Sequence, residues 1–297
     1  MQTSPNILCI GSVLWDVIGR SPSTMRVGSD VPGRITRLPG GVALNIAMTL
    51  RKFGMTPALL TVVGNDAEGH ELMAECGAMG LVTDHVYRST DLPTDIYMAI
   101  EGQNGLIAAI ADAHSLEQAG AKILTPLADG TLGSAEAPFS GVIALDGNLT
   151  ESLLREIVGL EEFRNADLRV APASPGKAER LAPFLGHAGA TLYVNLEEAG
   201  LICRETFETT EAAAKGLLSK GATRVLVTSG GNSTCDGQKD GLISLRPPEV
   251  LVTRITGAGD TFMAAHIAAE MRGLDRTQSL QAALDAAATY VSGDIGA

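Results

Sequence analysis

The chain reads as a three-layer α/β/α protein with a mostly parallel central sheet and a small β-sheet lid, on three observations. Short apolar runs of strand length alternate with segments of helical period, from NILCIG and VALNIAMTLRKFG near the start to RVLVTSGG in the last third. Alternation of this kind builds a parallel sheet covered by helices. The rhythm breaks once, at DIYMAI, EGQNG and LIAAIADA, where two strand-like runs flank Asn104-Gly105, a hairpin signal. Finally, 297 residues of which 45% are apolar suffice to bury one large core, so a single domain over 1–297 is expected.

The elements follow in order. NILCIGSVLWD is strand-like up to an aspartate, Asp16, and the helix VALNIAMTLRKFG carries Ala43, Ile46, Ala47, Leu50 and Phe53 on one stripe. ALLTVVG precedes the helical EGHELMAECGAMG, GVIALDG precedes TESLLREIVGL, and ATLYVN precedes EAAAKGLLSKG. VLVTRI reads as a strand before TGAGD, FMAAHIAAEMRG as a helix ending at Gly273, and LQAALDAAATYVSGDIGA as a last helix. The lid is expected from about 17–38, through RITRL, and 94–112.

Charge excludes several partners. With 34 acidic and 22 basic residues the formal charge is −12, which repels nucleic acid and anionic membrane, and no basic cluster overrides it. The N-terminus lacks a basic leader and no apolar run approaches the ~20 residues of a bilayer span, so a soluble cytoplasmic protein is expected. Cys9, Cys76, Cys203 and Cys235 lack C-x-x-C spacing and read as reduced thiols, while His70, His85, His114, His187 and His266 form no ligand pattern.

Three familiar catalytic motifs are missing: the Walker loop, a G-x-G-x-x-G after the first strand, and a G-x-S-x-G elbow. A Rossmann-type oxidoreductase therefore lacks its fingerprint. TGAGD remains. Gly257 and Gly259 let a backbone approach a ligand, and the successive N–H groups that open a helix form an anion nest. Asp260 at its mouth is placed to accept a proton from an attacking hydroxyl, and the positive helix end is expected to keep it ionised. A lone G-x-G-D equally describes an aspartate capping a helix. Gly40 and Gly41 precede the first helix and permit close approach, and Asn45 in its first turns can donate to and accept from a hydroxyl. Each has a plain structural reading as well: a turn at Asp16, solvent-facing helix charges at Glu197 and Glu198, a turn at Thr228 and Ser229, and core burial for Trp15, which beside Asp16 would otherwise wall a base pocket.

Together, GGVALNIA and TGAGDTF resemble the two signatures of the ribokinase-like (PfkB) family of carbohydrate and nucleoside kinases, and the likeness spans nearly the whole chain. NLEEAG is similar to the family's N-x-x-E motif, VLVTSGG to its nucleotide-side strand, and the flap to its β-lid. Within the family, VPGRITRLPGGVALNIA, TDIYMAI, LIAAIADA and ALDGNLTESLL resemble the pseudouridine kinases most. The resemblance implies a ribokinase-like fold and ATP-dependent phosphorylation of a sugar hydroxyl, with pseudouridine 5'-phosphate as the finer expectation. It makes Asp260 the base, with Gly257, Ala258 and Gly259 as anion hole. Asp16, Gly40, Gly41 and Asn45 become substrate contacts, with Asp112 and Lys177 as further candidates. Thr228, Gly230, Gly257 and Gly259 fall along ATP, Asn195 and Glu198 organise Mg²⁺ through water, and two copies join through the lids as a homodimer. Another sugar or nucleoside kinase of the family is the near alternative, and a non-catalytic ligand-binding protein the distant one, against which the retained Asp260 and anion hole argue.

Two departures stand out. Relatives often begin the second signature with an acidic residue that helps bind a monovalent cation, where this chain has Arg254 and Ile255. A guanidinium carries a permanent charge on a rigid fork and is expected to replace that cation, unless it simply faces solvent. Ala171 stands where relatives often carry an aspartate.

Overall fold

The computed structural model describes residues 5–26 and 28–293. Its strands are β1 (Ile7–Ile10), β2 (Leu14–Arg20), β3 (Arg34–Gly40), β4 (Ala58–Leu60), β5 (Val62–Gly64), β6 (Tyr87–Ser89), β7 (Ile96–Gly102), β8 (Gly105–Asp112), β9 (Val142–Asp146), β10 (Asp167–Ala171), β11 (Ala190–Asn195), β12 (Arg224–Thr228), β13 (Thr234–Gln238) and β14 (Gly241–Leu245). Its helices are α1 (Val42–Lys52), α2 (Ala67–Ala78), α3 (His114–Ala119), α4 (Thr125–Ala128), α5 (Glu151–Gly159), α6 (Leu196–Cys203), α7 (Thr210–Ser219), α8 (Ala258–Met271) and α9 (Arg276–Ser292).

The eight-stranded sheet runs β14-β13-β12-β11-β10-β9-β1-β4, parallel except where β13 pairs with β12 and β14. Strand parity divides the core. Leu8, Ile10, Ile143 and Leu145 face α5, α6 and α7, whereas Ile7, Cys9, Val142 and Ala144 face α1, α8 and α9. The chain leaves β1 for β4 on one side and continues from β9 on the other, so the strand order reverses between β1 and β9. Open α/β sheets bind ligands beyond the carboxyl ends of strands at such a point.

A second sheet, β3-β2-β7-β8, stands apart, with β2 and β7 parallel and the outer pairs antiparallel. Its register places Asp16, Leu38, Tyr97 and Ala111 on one face, and Val17, Ile35, Met98, Ile100 and Ile110 on the other. Ile35 and Ile110 on that second face are 76% and 68% exposed.

Two sequence expectations need correction. The first strand does not run on to Asp16: β1 ends at Ile10 and Asp16 lies in β2, in the other sheet, because Ser12 between them is drawn into a buried hydrogen bond with Asp146. VLVTRI forms no strand. Pro247 and Pro248 bring no N–H to a ladder, Leu251 is 82% exposed, and Thr253 and Arg254 donate instead to the Val291 carbonyl at the end of α9.

Candidate active site

Gly40 and Gly41 join β3 to α1, and the space they leave is filled by the chain itself. A Cβ at Gly40 would run into the Asp16 carboxylate; one at Gly41, whose φ is +102°, would run into the Ser12 carbonyl. Asp16 thus sits tight against a glycine backbone, half-buried, with no hydrogen-bond partner among the described residues. Burial pushes its pKa up to about 6. An unpaired carboxylate in that setting is an acceptor for hydroxyl groups.

The same turn starts α1. Val42 N–H donates to Ser12 Oγ at 2.9 Å, and in the first turns Asn45 Nδ2 donates to Asp260 Oδ2 at 2.9 Å. Asp260 lies in the first turn of α8, behind Gly257, which caps the helix in the left-handed region at φ +87°. First-turn N–H groups have no partner inside a helix. Of these, Ala258 N–H turns back to the Ile255 carbonyl at 3.0 Å, so the chain itself occupies one of the three anion-hole positions expected from sequence.

Asp260 is not held ionised by the helix end, as the sequence suggests. Desolvation raises its pKa to about 7; the Asn45 hydrogen bond opposes that rise, and Asp146 and Glu198 add to it. The partial charge at a helix end is modest, and here it faces burial and two neighbouring carboxylates.

Asp146 escaped sequence reasoning. It ends β9 at the switch point, is fully buried, and accepts from Ser12 N–H at 2.8 Å and Asn148 N–H at 2.7 Å. Asn148 Nδ2 also reaches Ser12 Oγ at 2.9 Å, and its Oδ1 accepts from Lys177 Nζ at 2.5 Å. The available signal was an aspartate closing a wholly apolar strand in VIALD, which a buried strand tolerates only when the carboxylate is hydrogen-bonded.

Asn195 and Glu198 form a reciprocal capping box on α6: Glu198 N–H donates to Asn195 Oδ1 at 2.9 Å, and Asn195 N–H to Glu198 Oε2 at 2.8 Å. Burial raises Glu198 to about 7, against the Asn195 hydrogen bond and with help from Glu197. Thr228 pairs with Asn195 across β11 and β12, and Gly230 follows in an open turn. Among the described residues no group of three His, Cys, Asp or Glu is arranged to hold a metal directly. Asp260 nonetheless has two further carboxylates acting on it, Asp146 and Glu198, and the Lys177 ammonium faces Asp146. This donor set fits Mg²⁺, which keeps several waters and takes one or two carboxylates together with phosphate oxygens.

Asp112 and Trp15 go elsewhere. Asp112 pairs with Ile96, which pairs with Trp15, so both occupy the sheet face opposite Asp16. Trp15 is core: it is 2% exposed, its Nε1 donates to the Glu68 carbonyl at 2.9 Å, and the Arg37 guanidinium lies 4.2 Å from its ring centre. Arg254 is exposed, and among the described residues it folds back on the chain rather than meeting a carboxylate. Its Nε donates to the Tyr290 carbonyl at 2.7 Å and its guanidinium stacks 3.9 Å from the centre of the Tyr290 ring, while Tyr290 Oη donates to the Thr256 carbonyl at 2.8 Å. A cavity of ≈ 830 Å³ lined by Asp167, Arg169 and Arg224 contains none of the expected site residues.

The model of the pfkB family carbohydrate kinases matches residues 4–294. A pseudouridine kinase of Escherichia coli K12 is 26% identical over 286 residues, covering 95% of this chain and 88% of its own. One from Arabidopsis thaliana is 25% identical over 352 residues, covering 96% and 90%. Among solved structures, a ribokinase from Thermotoga maritima superposes with a TM-score of 0.80 at 21% identity, over 98% of this chain and 94% of the other. Arabidopsis thaliana ribokinase complexed with ribose and ATP superposes at 0.76 and 19%, over 99% and 95%. These two establish the ribokinase-like fold. With its family signature matched from end to end, the chain belongs to the pfkB family of carbohydrate kinases, ATP-dependent phosphotransferases whose acceptor is a sugar hydroxyl.

Proposed function

We propose that this kinase transfers phosphate from ATP to the 5'-hydroxyl of pseudouridine. The observation that carries the catalytic part is Asp260, half-buried in the first turn of α8, hydrogen-bonded among the described residues by Asn45 and poised near neutrality. A carboxylate of pKa about 7 is deprotonated often enough at neutral pH to take the hydroxyl proton, and basic enough to keep it. Asn45 fixes which carboxylate oxygen is free. The first turn of α8 presents the Gly257 and Gly259 N–H groups and the positive helix end to phosphoryl oxygens. Asp16 accepts from ribose hydroxyls beside Gly40 and Gly41, and Thr228 and Gly230 border the nucleotide. ATP and Mg²⁺, when bound, supply the phosphoryl group and neutralise its charge; Asn195 and Glu198 orient the water around the metal. Support for pseudouridine comes from the two pseudouridine kinases at 25–26% identity. We assign Lys177 and Asn148 to the substrate side and leave Asp112 out.

ADP release over pseudouridine, uridine, cytidine, adenosine, ribose and fructose 6-phosphate tests this reading. Pseudouridine is expected to give the highest kcat/KM, by about tenfold or more; a higher value for ribose or adenosine transfers the assignment, and no turnover with any of them favours a ligand-binding protein. Two further assignments accompany it. The apolar sheet face of Ile35, Met98 and Ile110 suits burial against a second copy, and a monomer by light scattering refutes that dimer. The four free, buried cysteines suit a reducing cytoplasm.

A further inference from the structure

A cavity of ≈ 280 Å³ opens behind the Asp260–Asn45 pair, where one face of α1 meets the first turns of α8, Tyr290 of α9 and Met79 after α2. Its wall contains two flexible thioethers, Met48 and Met79, and its rim carries Arg51 and Lys52. Neither cation has an ion-pair partner among the described residues; Arg51 reaches only the Met55 carbonyl, at 3.3 Å. In a chain of formal charge −12, two adjacent unneutralised cations beside an apolar hollow are conspicuous. Methionines adapt their shape to an apolar guest, and the rim offers an anionic group two partners.

The hollow is also in direct touch with the parts that hold the reaction centre. Asn45, on its wall, holds Asp260; Gly257, also on its wall, begins α8; and Tyr290, a third wall residue, holds the Thr256 carbonyl under the stacked Arg254. We propose that this cavity is an effector site for a small organic carboxylate with an apolar body, and that its occupancy alters turnover through Asn45, Gly257 and Tyr290. Of the expected site residues Asn45 and Gly257 line it, whereas Asp16, Gly40, Gly41 and Asp260 do not.

The test uses the full chain with [¹³C-methyl]methionine, titrated with hexanoate and, separately, with hexan-1-ol. Hexanoate is expected to shift the Met48 and Met79 methyl signals saturably, with hexan-1-ol binding about fivefold or more weakly. The surface variants Arg51→Glu and Lys52→Glu should each weaken hexanoate by a similar factor, and Met48→Trp, which fills the hollow, should abolish binding. Unmoved methyl signals, equal binding of the alcohol, or charge reversals without effect would each overturn the site. Saturating hexanoate is expected to change turnover of whichever substrate the chain accepts by about twofold or more in the parent protein, and not in Met48→Trp; unchanged turnover at saturation overturns the effector role. The binding readout needs no assumption about substrate, so it stands or falls separately from the pseudouridine assignment.

Discussion

Helix α8 passes through two charged environments that solve the same problem in opposite ways. Its later turns carry His266 and Glu270 into a network in which negative charges meet positive ones: Glu270 bonds Arg224 at 2.6 Å and also pairs with Arg169, and Asp236 bonds Arg224 at 2.7 Å and Arg276 at 3.2 Å. Burial alone would raise both acids, yet the guanidinium groups hold Asp236 and Glu270 below the ordinary carboxylate range. His266, fully buried against Tyr193 Oη at 2.8 Å, is pushed by desolvation down to about 4. At the first turn of the same helix Asp260 has an amide for a partner and carboxylates for neighbours, and its pKa rises to about 7. Burial is common to both ends. The supply of cations differs, and it separates a structural clasp from a group ready to exchange a proton.

The largest effect should come from removing the cation-poor side of this contrast. Asp260→Asn is expected to keep substrate binding, by calorimetry, while kcat falls by about a thousandfold or more. The same variant should be the more stable protein at alkaline pH. A carboxyl whose folded pKa is raised favours the native state while protonated and loses that contribution as pH rises through about 7. Asparagine has no such loss, so its melting temperature should exceed that of the parent above neutrality and approach it in acid. Near-normal turnover would remove Asp260 from the mechanism.

Breaking the matched end should do the reverse. Arg224→Ala leaves Asp236 and Glu270 short of a buried partner and is expected to cost about 3–5 kcal/mol in urea unfolding, with kcat of the folded fraction close to that of the parent. A loss below about 1 kcal/mol would mean that the network is solvated.

A smaller effect separates geometry from electrostatics. Asn45 lowers the Asp260 pKa, so Asn45→Ala should move the acidic limb of the kcat profile to higher pH, by about one unit. A drop in kcat without movement of that limb would leave Asn45 a purely steric role. The smallest expected effect is a null. With Arg254 seated on Tyr290 at the end of α9, turnover in potassium and in tetramethylammonium salts should agree within about twofold, and a steep rise with potassium would refute the replacement.

Much of the fold was legible in sequence because strand parity and helix period survive in short segments: NILCIG already separates Leu8 and Ile10 from Ile7 and Cys9 as the two core faces do. TGAGD and Asn45 were legible as motifs, but the hydrogen bond joining them spans 215 residues and has no local trace. The Ser12 partner of Asp146 has no local trace for the same reason, since it depends on β1 and β9 lying side by side. VLVTRI misled because apolar composition looks alike whether a segment enters a ladder or lies on the surface. Lid parity places Asp112 on the face opposite Asp16, and a register is set by the neighbouring strand.

The loop before α8 is tied down by the last helix, through Tyr290 to Thr256 and through Val291 to Thr253 and Arg254. The position of Asp260 thus depends on contacts made by a helix that follows it in the chain. Loosening of α9 is therefore expected to loosen the turn that carries Asp260 together with it.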